Sequence, residues 1–327
     1  MDDHPDCIPE RECQSDLKMP TDSVSKALVV DYASETLITC SNVRQGHCER
    51  RHLRDLQETT SRGGFIPVVN FDLISPVVMY IAPGMTNVNG AQSRVLYVAS
   101  TQSTVESSFN ELVPSIASRN LTTLEFLYDD GLQYSSVLRV KNKYRSTFRI
   151  QYKTGFYSEG FAYFLAVRPN EEGANRYNVS KIMRVCTNDN KYHSFVEFPL
   201  QCTHNGTQYN VLQDAYVTTP GSVLARSMGV SSDRDDVIFA VFTSNKSQGR
   251  SAWDASGVGD ESPSPDSALC VYSLREVRQM FTLAIQKCFD GVGTTGPDHF
   301  KPTSNCRRMV RPLLKNSPNL HFKSTFL

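Results

Sequence analysis

The chain has 327 residues, of which 39% are hydrophobic and 10% aromatic, so it has enough apolar material for a core and falls outside the disordered class. Lys and Arg total 34 and Asp and Glu also total 34, which excludes the global basic field that attracts nucleic acid or anionic membranes. A neutral protein surface is the simpler expectation for a partner.

Most periodic segments are short, rich in Val, Ile, Phe and Tyr, and bounded by Gly, Pro, Asn, Asp or Ser, which is typical of β-strands. The predicted strands cover residues 26–32, 36–40, 94–100, 161–167, 181–186, 193–200 and 236–243. Ser273 and Glu276 form a capping box before one segment with helical spacing. Its apolar positions are Leu274, Val277, Phe281, Ala284 and Cys288. The sequence therefore predicts an all-β fold with one short inserted helix.

The N-terminus lacks a secretory signal, because MDDHPDCIPERECQ carries acids where a signal has a basic start and an apolar run. Apolar runs such as residues 237–242 reach about a third of the roughly 20 residues that a membrane-spanning helix needs, and they are interpreted as buried strands. Residues 244–267 are small and polar, contain the only tryptophan, Trp253, and are predicted to form a long exposed loop.

Four glycosylation sequons and nine cysteines indicate an oxidising extracellular setting. The sequon asparagines are Asn120, Asn178, Asn205 and Asn245. The absence of a signal then implies that the true N-terminus is missing.

Local cysteine spacing favours disulfides between Cys7 and Cys13 and between Cys40 and Cys48. The Cys40 to His52 stretch could also be drawn as a zinc site with two histidines. Its spacing lacks the C-x-x-C knuckle, and an extracellular pair would instead bridge a hairpin, so the disulfide is favoured.

Catalytic and cofactor motifs lack the context that their chemistry needs. The glycines of residues 291–296 match a dinucleotide pattern, but they follow a helix and run into Pro297, whereas phosphate binding needs a strand before and a helix after. No G-x-S-x-G elbow occurs, and the acids around Arg234 lack the spacing of a calcium loop. No catalytic residue, metal or cofactor is predicted.

Several segments in order resemble the sema domain of the plexin family. They are LITCSNVRQGHCERRHL (37–53), GFYSEGFAYFLAVRP (155–169), RVCTNDNKYHSFVEFPLQC (184–202), YNVLQDAYVTTPG (209–221), DVIFAVFT (236–243), DSALCVYSLREV (266–277) and QKCFDG (286–291). The resemblance covers residues 7–306 and implies a partial seven-bladed β-propeller of four-stranded blades, with about four to five blades present. Residues 307–327 form a tail that does not match the family, so the chain is expected to be a fragment.

The resemblance implies the ligand-binding part of a semaphorin receptor on the extracellular side of the plasma membrane, without enzymatic activity. Semaphorin is the implied partner, and a receptor homodimer or a co-receptor is a further possibility. A semaphorin or scatter-factor-receptor type of sema domain is the alternative. A secreted propeller hydrolase or lectin is a rival of another class, for which no convergent polar or metal-ligating cluster is recognised in the sequence.

The resemblance also implies that inter-strand loops contact the semaphorin. Residues 129–134 align with such a loop, with one extra residue, which makes Leu132, Gln133 and Tyr134 the candidate contacts. An ordinary turn is the alternative interpretation, because loops carry both sequence variability and function.

Two more disulfides are implied by the resemblance, Cys202 with Cys270 and Cys288 with Cys306. Cys186 is then left over, since its plexin counterpart pairs with a cysteine beyond the position of Cys306. The chain alone is therefore expected to aggregate or to form disulfide-linked dimers through Cys186.

Non-reducing peptide mapping of the oxidised chain is expected to recover four bridges. They are Cys7–Cys13, Cys40–Cys48, Cys202–Cys270 and Cys288–Cys306. The same digest after reduction is the control, in which every linked peptide should separate. Free thiols at both Cys202 and Cys270 would contradict the assignment.

Overall fold

A computed structural model describes residues 2–3, 19–62, 67–87, 89–103, 108–129, 135–145, 147–170, 177–245, 263–292, 299–301 and 325–326. The chain divides into two compact units, which are described separately: Met1–Phe164 with Val185–Tyr192, and Leu165–Arg184 with His193–Leu327. Antiparallel sheets dominate the described residues, so the predicted all-β class is confirmed.

The early strands form consecutive antiparallel sheets. A short pair consists of β1 (Asp2–Asp3) and β2 (Met19–Pro20). The next sheet runs in the order β3 (Ser25–Asp31), β4 (Thr36–Ser41), β5 (Cys48–His52) and β6 (Thr59–Arg62). Another contains, in chain order, β7 (Val77–Thr86), β8 (Gln92–Ser100), β9 (Ile116–Asn120) and β10 (Val137–Val140).

The later strands repeat this meander. One sheet has the order β11 (Gln151–Ser158), β12 (Phe161–Pro169), β13 (Asn178–Cys186) and β14 (Val196–Pro199). A small hairpin joins β15 (Cys202–His204) to β16 (Thr207–Tyr209). The remaining strands are β17 (Val211–Thr218), β18 (Val237–Asn245), β19 (Pro263–Ser273), β20 (Phe300–Lys301) and β21 (Thr325–Phe326). β21 lies in the tail for which no strand was predicted, and it pairs with β19.

Three helical segments accompany the sheets. They are α1 (Val43–Gly46), α2 (Ser222–Met228) and α3 (Leu274–Phe289). Short 3-10 turns cover Ser108–Glu111 and Asn142–Tyr144. None of the helices among the described residues is long and apolar enough to cross a membrane.

α3 is the helix that the sequence predicted. The Ser273 side chain accepts a hydrogen bond from the Glu276 backbone N–H, as the capping box requires, and the helix begins at Leu274. Leu274, Val277 and Phe281 are buried, so the helical spacing placed these apolar positions correctly on the packed face. The short helix α2 was not predicted.

The core of the first unit contains the β4–β5 hairpin. Every second side chain of β4 is buried, including Ile38 and Cys40, as expected for a strand with one face in a core. Cys40 and Cys48 lie directly opposite each other with Cα atoms 4.1 Å apart, and a disulfide joins them. The two sulfurs are therefore committed to each other and not to a zinc ion.

Between these cysteines the chain makes an unusual turn. Three consecutive residues, Arg44, Gln45 and Gly46, have positive φ angles of 52°, 63° and 81°, so α1 is not a regular helix. The Gly46 carbonyl accepts hydrogen bonds from the N–H groups of Val68 and Val69, both at 3.2 Å. A Cβ atom on Gly46 would lie 1.8 Å from the Val69 carbonyl oxygen. The backbone thus approaches too closely for any residue but glycine.

Replacing Gly46 with Ala is expected to destabilise the fold more than replacing Gly160, which has the same φ of 81° but open space around a Cβ atom. Both variants place a Cβ atom on a backbone with a positive φ, which is strained for alanine. Only Gly46→Ala adds a clash with neighbouring backbone atoms. The difference in the free energy of unfolding should be about 1–3 kcal/mol, measured by denaturant titration. Equal losses in the two variants would show that the close approach to Val69 is unimportant.

Candidate protein-binding surface

The predicted contact residues Leu132, Gln133 and Tyr134 lie outside the described residues, but the chain on both sides of their loop is described. Asp129 and Ser135 form an antiparallel bridge at its base. One residue further in, the Ser136 N–H donates to the Tyr128 carbonyl at 2.8 Å. The loop therefore begins and ends at a hydrogen-bonded loop neck, defined here as residues 126–129 and 135–136.

The loop neck is joined to the end of β9. β10 pairs with β9 at residues 137 and 138, and beyond that point Phe126 bridges to Arg119. The backbone N–H of Leu127 donates to the Ser118 carbonyl, and the Ser118 N–H donates to the Ser136 carbonyl, both at 2.9 Å. Ser118 thus contacts both arms of the neck and fixes their spacing.

The buried hydroxyl of Ser136 adds a side-chain tie between the same arms. It donates to the Ser118 carbonyl at 3.0 Å and accepts from the Tyr128 N–H at 3.1 Å. Because a buried hydroxyl is costly unless its hydrogen bonds are made, these contacts favour one position of the neck.

Arg119 holds the turn that leads into the neck. Its side chain is 0% exposed, and its guanidinium donates to the Leu124 carbonyl at 2.8 Å and to the Pro67 carbonyl at 3.0 Å. The guanidinium carbon also lies 4.4 Å from the centre of the Phe126 ring. Burial lowers the pKa of Arg119 to about 9, so the group remains charged at neutral pH. The carbonyls and the ring face compensate this buried charge.

A second segment, residues 187–192 after β13, supports the neck from another direction. The buried Tyr192 hydroxyl lies 2.7 Å from the Ser118 hydroxyl. Burial raises the pKa of Tyr192 well above its ordinary value, so this hydroxyl stays neutral. Tyr192 has a φ of 57°, an uncommon conformation for a bulky residue, and this turn directs the preceding Lys191 towards the ring of Tyr128 at 5.7 Å.

The partly exposed side of the neck is aromatic and cationic. Phe126 and Tyr128 are half-buried, with Arg139 5.7 Å from the Phe126 ring and Lys191 beside Tyr128. Tyr, Phe and Arg are enriched in protein interfaces because their side chains offer large contact areas, to which Tyr and Arg add hydrogen-bond donors. In the described part of the chain, no group of three or more His, Cys, Asp or Glu residues could hold a metal ion. The arrangement suits protein recognition.

The other predicted site residues are distributed over the fold. Asn120 is exposed at the end of β9, Asn205 is exposed in a turn, Asn178 is half-buried at the start of β13, and Asn245 ends β18.

The structure describes some of the remaining predicted cysteines. Cys202 and Cys270 form a disulfide with Cα atoms 5.9 Å apart, and Cys288 on α3 is also disulfide-bonded. Cys7, Cys13 and Cys306 lie outside the described residues. Cys186, in the first unit, is half-buried at the end of β13.

Comparison with known proteins gives consistent similarities in sequence and in fold. Residues 212–312 match the sequence profile of the Sema domain, and this match continues past residue 306. Plexin-A4 of Danio rerio is 30% identical over 321 residues, which cover 90% of this chain and 16% of that protein. Plexin-A2 of Homo sapiens is 28% identical over 316 residues, which cover 89% of this chain and 15% of that protein. This chain therefore spans only about a sixth of these relatives.

A solved structure of the plexin A4 full extracellular region matches with a TM-score of 0.77 and 26% identity, covering 100% of this chain and 36% of that one. The sheets and the sequence together define a partial β-propeller of the sema class. Within that class the predicted resemblance to the plexin family is confirmed, in sequence and in fold.

Replacing Arg119 with Met should loosen the turn before the loop neck, because the buried carbonyls of Leu124 and Pro67 would lose their donor. The expected loss in the free energy of unfolding is about 2–4 kcal/mol. Hydrogen exchange should speed up in residues 121–128. Arg139→Met, which removes a half-exposed cation from the same ring, is the control and should cost less. Unchanged exchange in residues 121–128 would contradict the role given to Arg119.

Proposed function

We propose that this chain is the extracellular ligand-binding part of a plexin-type semaphorin receptor and that it acts on the outer side of the plasma membrane. The domain is proposed to span residues 7–306, followed by a tail, residues 307–327, of which residues 307–312 still fall within the profile match. Four proposed glycosylation sites and the disulfides fit the oxidising environment of a cell-surface protein. A receptor homodimer or a co-receptor is part of the same proposal.

The observation that carries this proposal is the loop neck. Its backbone is fixed by Ser118, Ser136 and the buried Arg119, while Tyr128 and Lys191 remain partly exposed beside it. A loop whose ends are held in place loses less conformational freedom on binding, so more of the contact energy is available as affinity. This is the arrangement expected at a recognition loop.

The aromatic and cationic surface also indicates what kind of contact it would make. Tyr128 offers a flat apolar surface, and Lys191 offers a positive charge close to it. A semaphorin surface that pairs an apolar side chain with a carboxylate would satisfy both groups. Leu132, Gln133 and Tyr134 would extend this surface at the tip of the loop.

Leu132→Asp and Lys191→Glu are each expected to weaken the binding of a purified semaphorin ectodomain at least tenfold, or about 1.4 kcal/mol, in surface plasmon resonance. The first change places a charge in an apolar contact, and the second reverses the charge that faces a carboxylate. Leu73→Asp is the matched control, because Leu73 is a 61% exposed loop leucine in the same unit and away from the neck in sequence.

The control should bind within about twofold of the unmodified chain, a difference of about 0.4 kcal/mol. Unchanged affinity of Leu132→Asp would indicate that residues 129–134 form an ordinary turn. If the correctly folded unmodified chain bound no member of a panel of semaphorin ectodomains, the proposed function would be wrong.

A further inference from the structure

The sequon asparagine Asn120 is the last residue of β9 and borders the turn that leads to the loop neck. Its N–H donates to the Glu125 carbonyl, and its own carbonyl accepts from the Leu124 N–H, both at 2.9 Å. Its side-chain Oδ1 accepts from the N–H groups of Thr122 and Thr123 at 2.7 and 3.1 Å. The amide is therefore held in one orientation by backbone donors.

This geometry suits the attachment of a glycan. The side chain of Asn120 is exposed, as are those of Thr122 and Thr123. Because Oδ1 is hydrogen-bonded to the turn, the orientation of the side-chain amide is fixed. The other atom of that amide, Nδ2, is the one to which an N-linked glycan is joined. Thr122 supplies the hydroxyl of the sequon.

The same turn ties Asn120 closely to the candidate binding surface. Asn120 is hydrogen-bonded to Glu125, and Asp129 at the base of the loop comes only four residues further along the chain. Even fully extended, those four residues span at most about 14 Å. The residue before Asn120 is Arg119, whose buried guanidinium fixes Leu124. The attachment point of a glycan on Asn120 thus lies near the base of the loop.

The other sequons do not share this connection. Asn205 is exposed with a φ of 48°, in the turn between β15 and β16, and belongs to the second unit. Asn178 is half-buried, and its carbonyl accepts from the side chain of Asn210. Asn120 is therefore the sequon that lies beside the loop neck within the first unit.

We propose that Asn120 carries an N-glycan that screens the candidate binding surface and slows the association of semaphorin. A bulky, hydrated group at a fixed position beside the neck blocks part of the approach directions, so fewer encounters lead to binding. The proposal rests on the proposed function, because it concerns access to the same loop. It adds a means of regulation, since the fraction of chains glycosylated at Asn120 would set the association rate.

Two substitutions remove the sequon by different routes. Asn120→Asp keeps a side-chain oxygen to accept from Thr122 and Thr123, so the turn is preserved, and Thr122→Ala leaves Asn120 itself intact. Thr122→Ser retains the sequon and serves as the positive control. Asn205→Asp removes a glycan from the second unit and controls for a general effect of lost carbohydrate.

The chains are to be secreted from mammalian cells behind an added secretion signal, isolated as monomers, mapped by glycopeptide mass spectrometry and tested against a purified semaphorin ectodomain in surface plasmon resonance. Asn120→Asp and Thr122→Ala should both lose the glycan and associate about threefold to tenfold faster than the unmodified chain. Thr122→Ser and Asn205→Asp should associate at the unmodified rate. Equal melting temperatures would show that the turn is intact.

The proposal is overturned if Asn120 is unmodified in the secreted chain. It is also overturned if the two glycan-free variants associate at the unmodified rate or more slowly. Should either variant fail to fold, native enzymatic deglycosylation of the unmodified chain and of Thr122→Ser gives the same comparison. Failure of every chain to bind semaphorin would instead contradict the proposed function, while glycopeptide mapping would still decide whether Asn120 is modified.

Discussion

A buried guanidinium needs acceptors, and this requirement organises both units of the chain. Arg119, Arg168 and Arg184 are each at most 3% exposed. Arg119 is met by two carbonyls and the Phe126 ring, and Arg184 lies 4.4 Å from the centre of the Phe281 ring. Arg168 pairs with Glu197 and donates to the Pro169 carbonyl at 2.7 Å. Such buried charges add little net stability, but removing a partner is costly, so they favour one arrangement of the neighbouring chain.

In the first unit, the need of Arg119 for acceptors affects the candidate site, because Arg119 lies near the end of a strand and its acceptors lie in loops. β9 is fixed by its register with β8 and β10, and Arg119 extends that fixed position to the turn before the loop neck. Ser118, also in β9, holds two further residues in place: its hydroxyl is hydrogen-bonded to that of Tyr192, and its carbonyl accepts from the hydroxyl of Ser136. The sheet therefore determines where the loop begins and ends, as is common for binding loops carried on a rigid scaffold.

The sequence predicted what depends on local pattern. A short segment typical of strands, bounded by turn residues, identified β4, the capping box identified α3, and the spacing of Cys40 and Cys48 identified the hairpin disulfide. It did not predict the turn at residues 44–46, because this turn is stabilised by Val68 and Val69, which are distant in sequence. The strand predicted from residue 193 begins at Val196, since Tyr192 packs on Ser118 in the preceding turn. The support of the loop neck was likewise missed, because a single arginine in a strand gives no sign of which carbonyls it will meet.

The charge distribution connects this local support to the rate of binding. Arg139 beside the neck donates to the Glu111 backbone carbonyl at 2.7 Å, and the Glu111 carboxylate accepts from Arg145 at 3.1 Å, so one residue contacts both arginines. With a formal net charge of zero, the chain has no long-range field to steer a charged partner, and the cations act only over about a Debye length, roughly 8 Å at physiological salt. Encounters are then largely unguided, and the association rate depends on the fraction that arrive in a productive orientation. That fraction is the quantity that a fixed, bulky group at Asn120 would reduce.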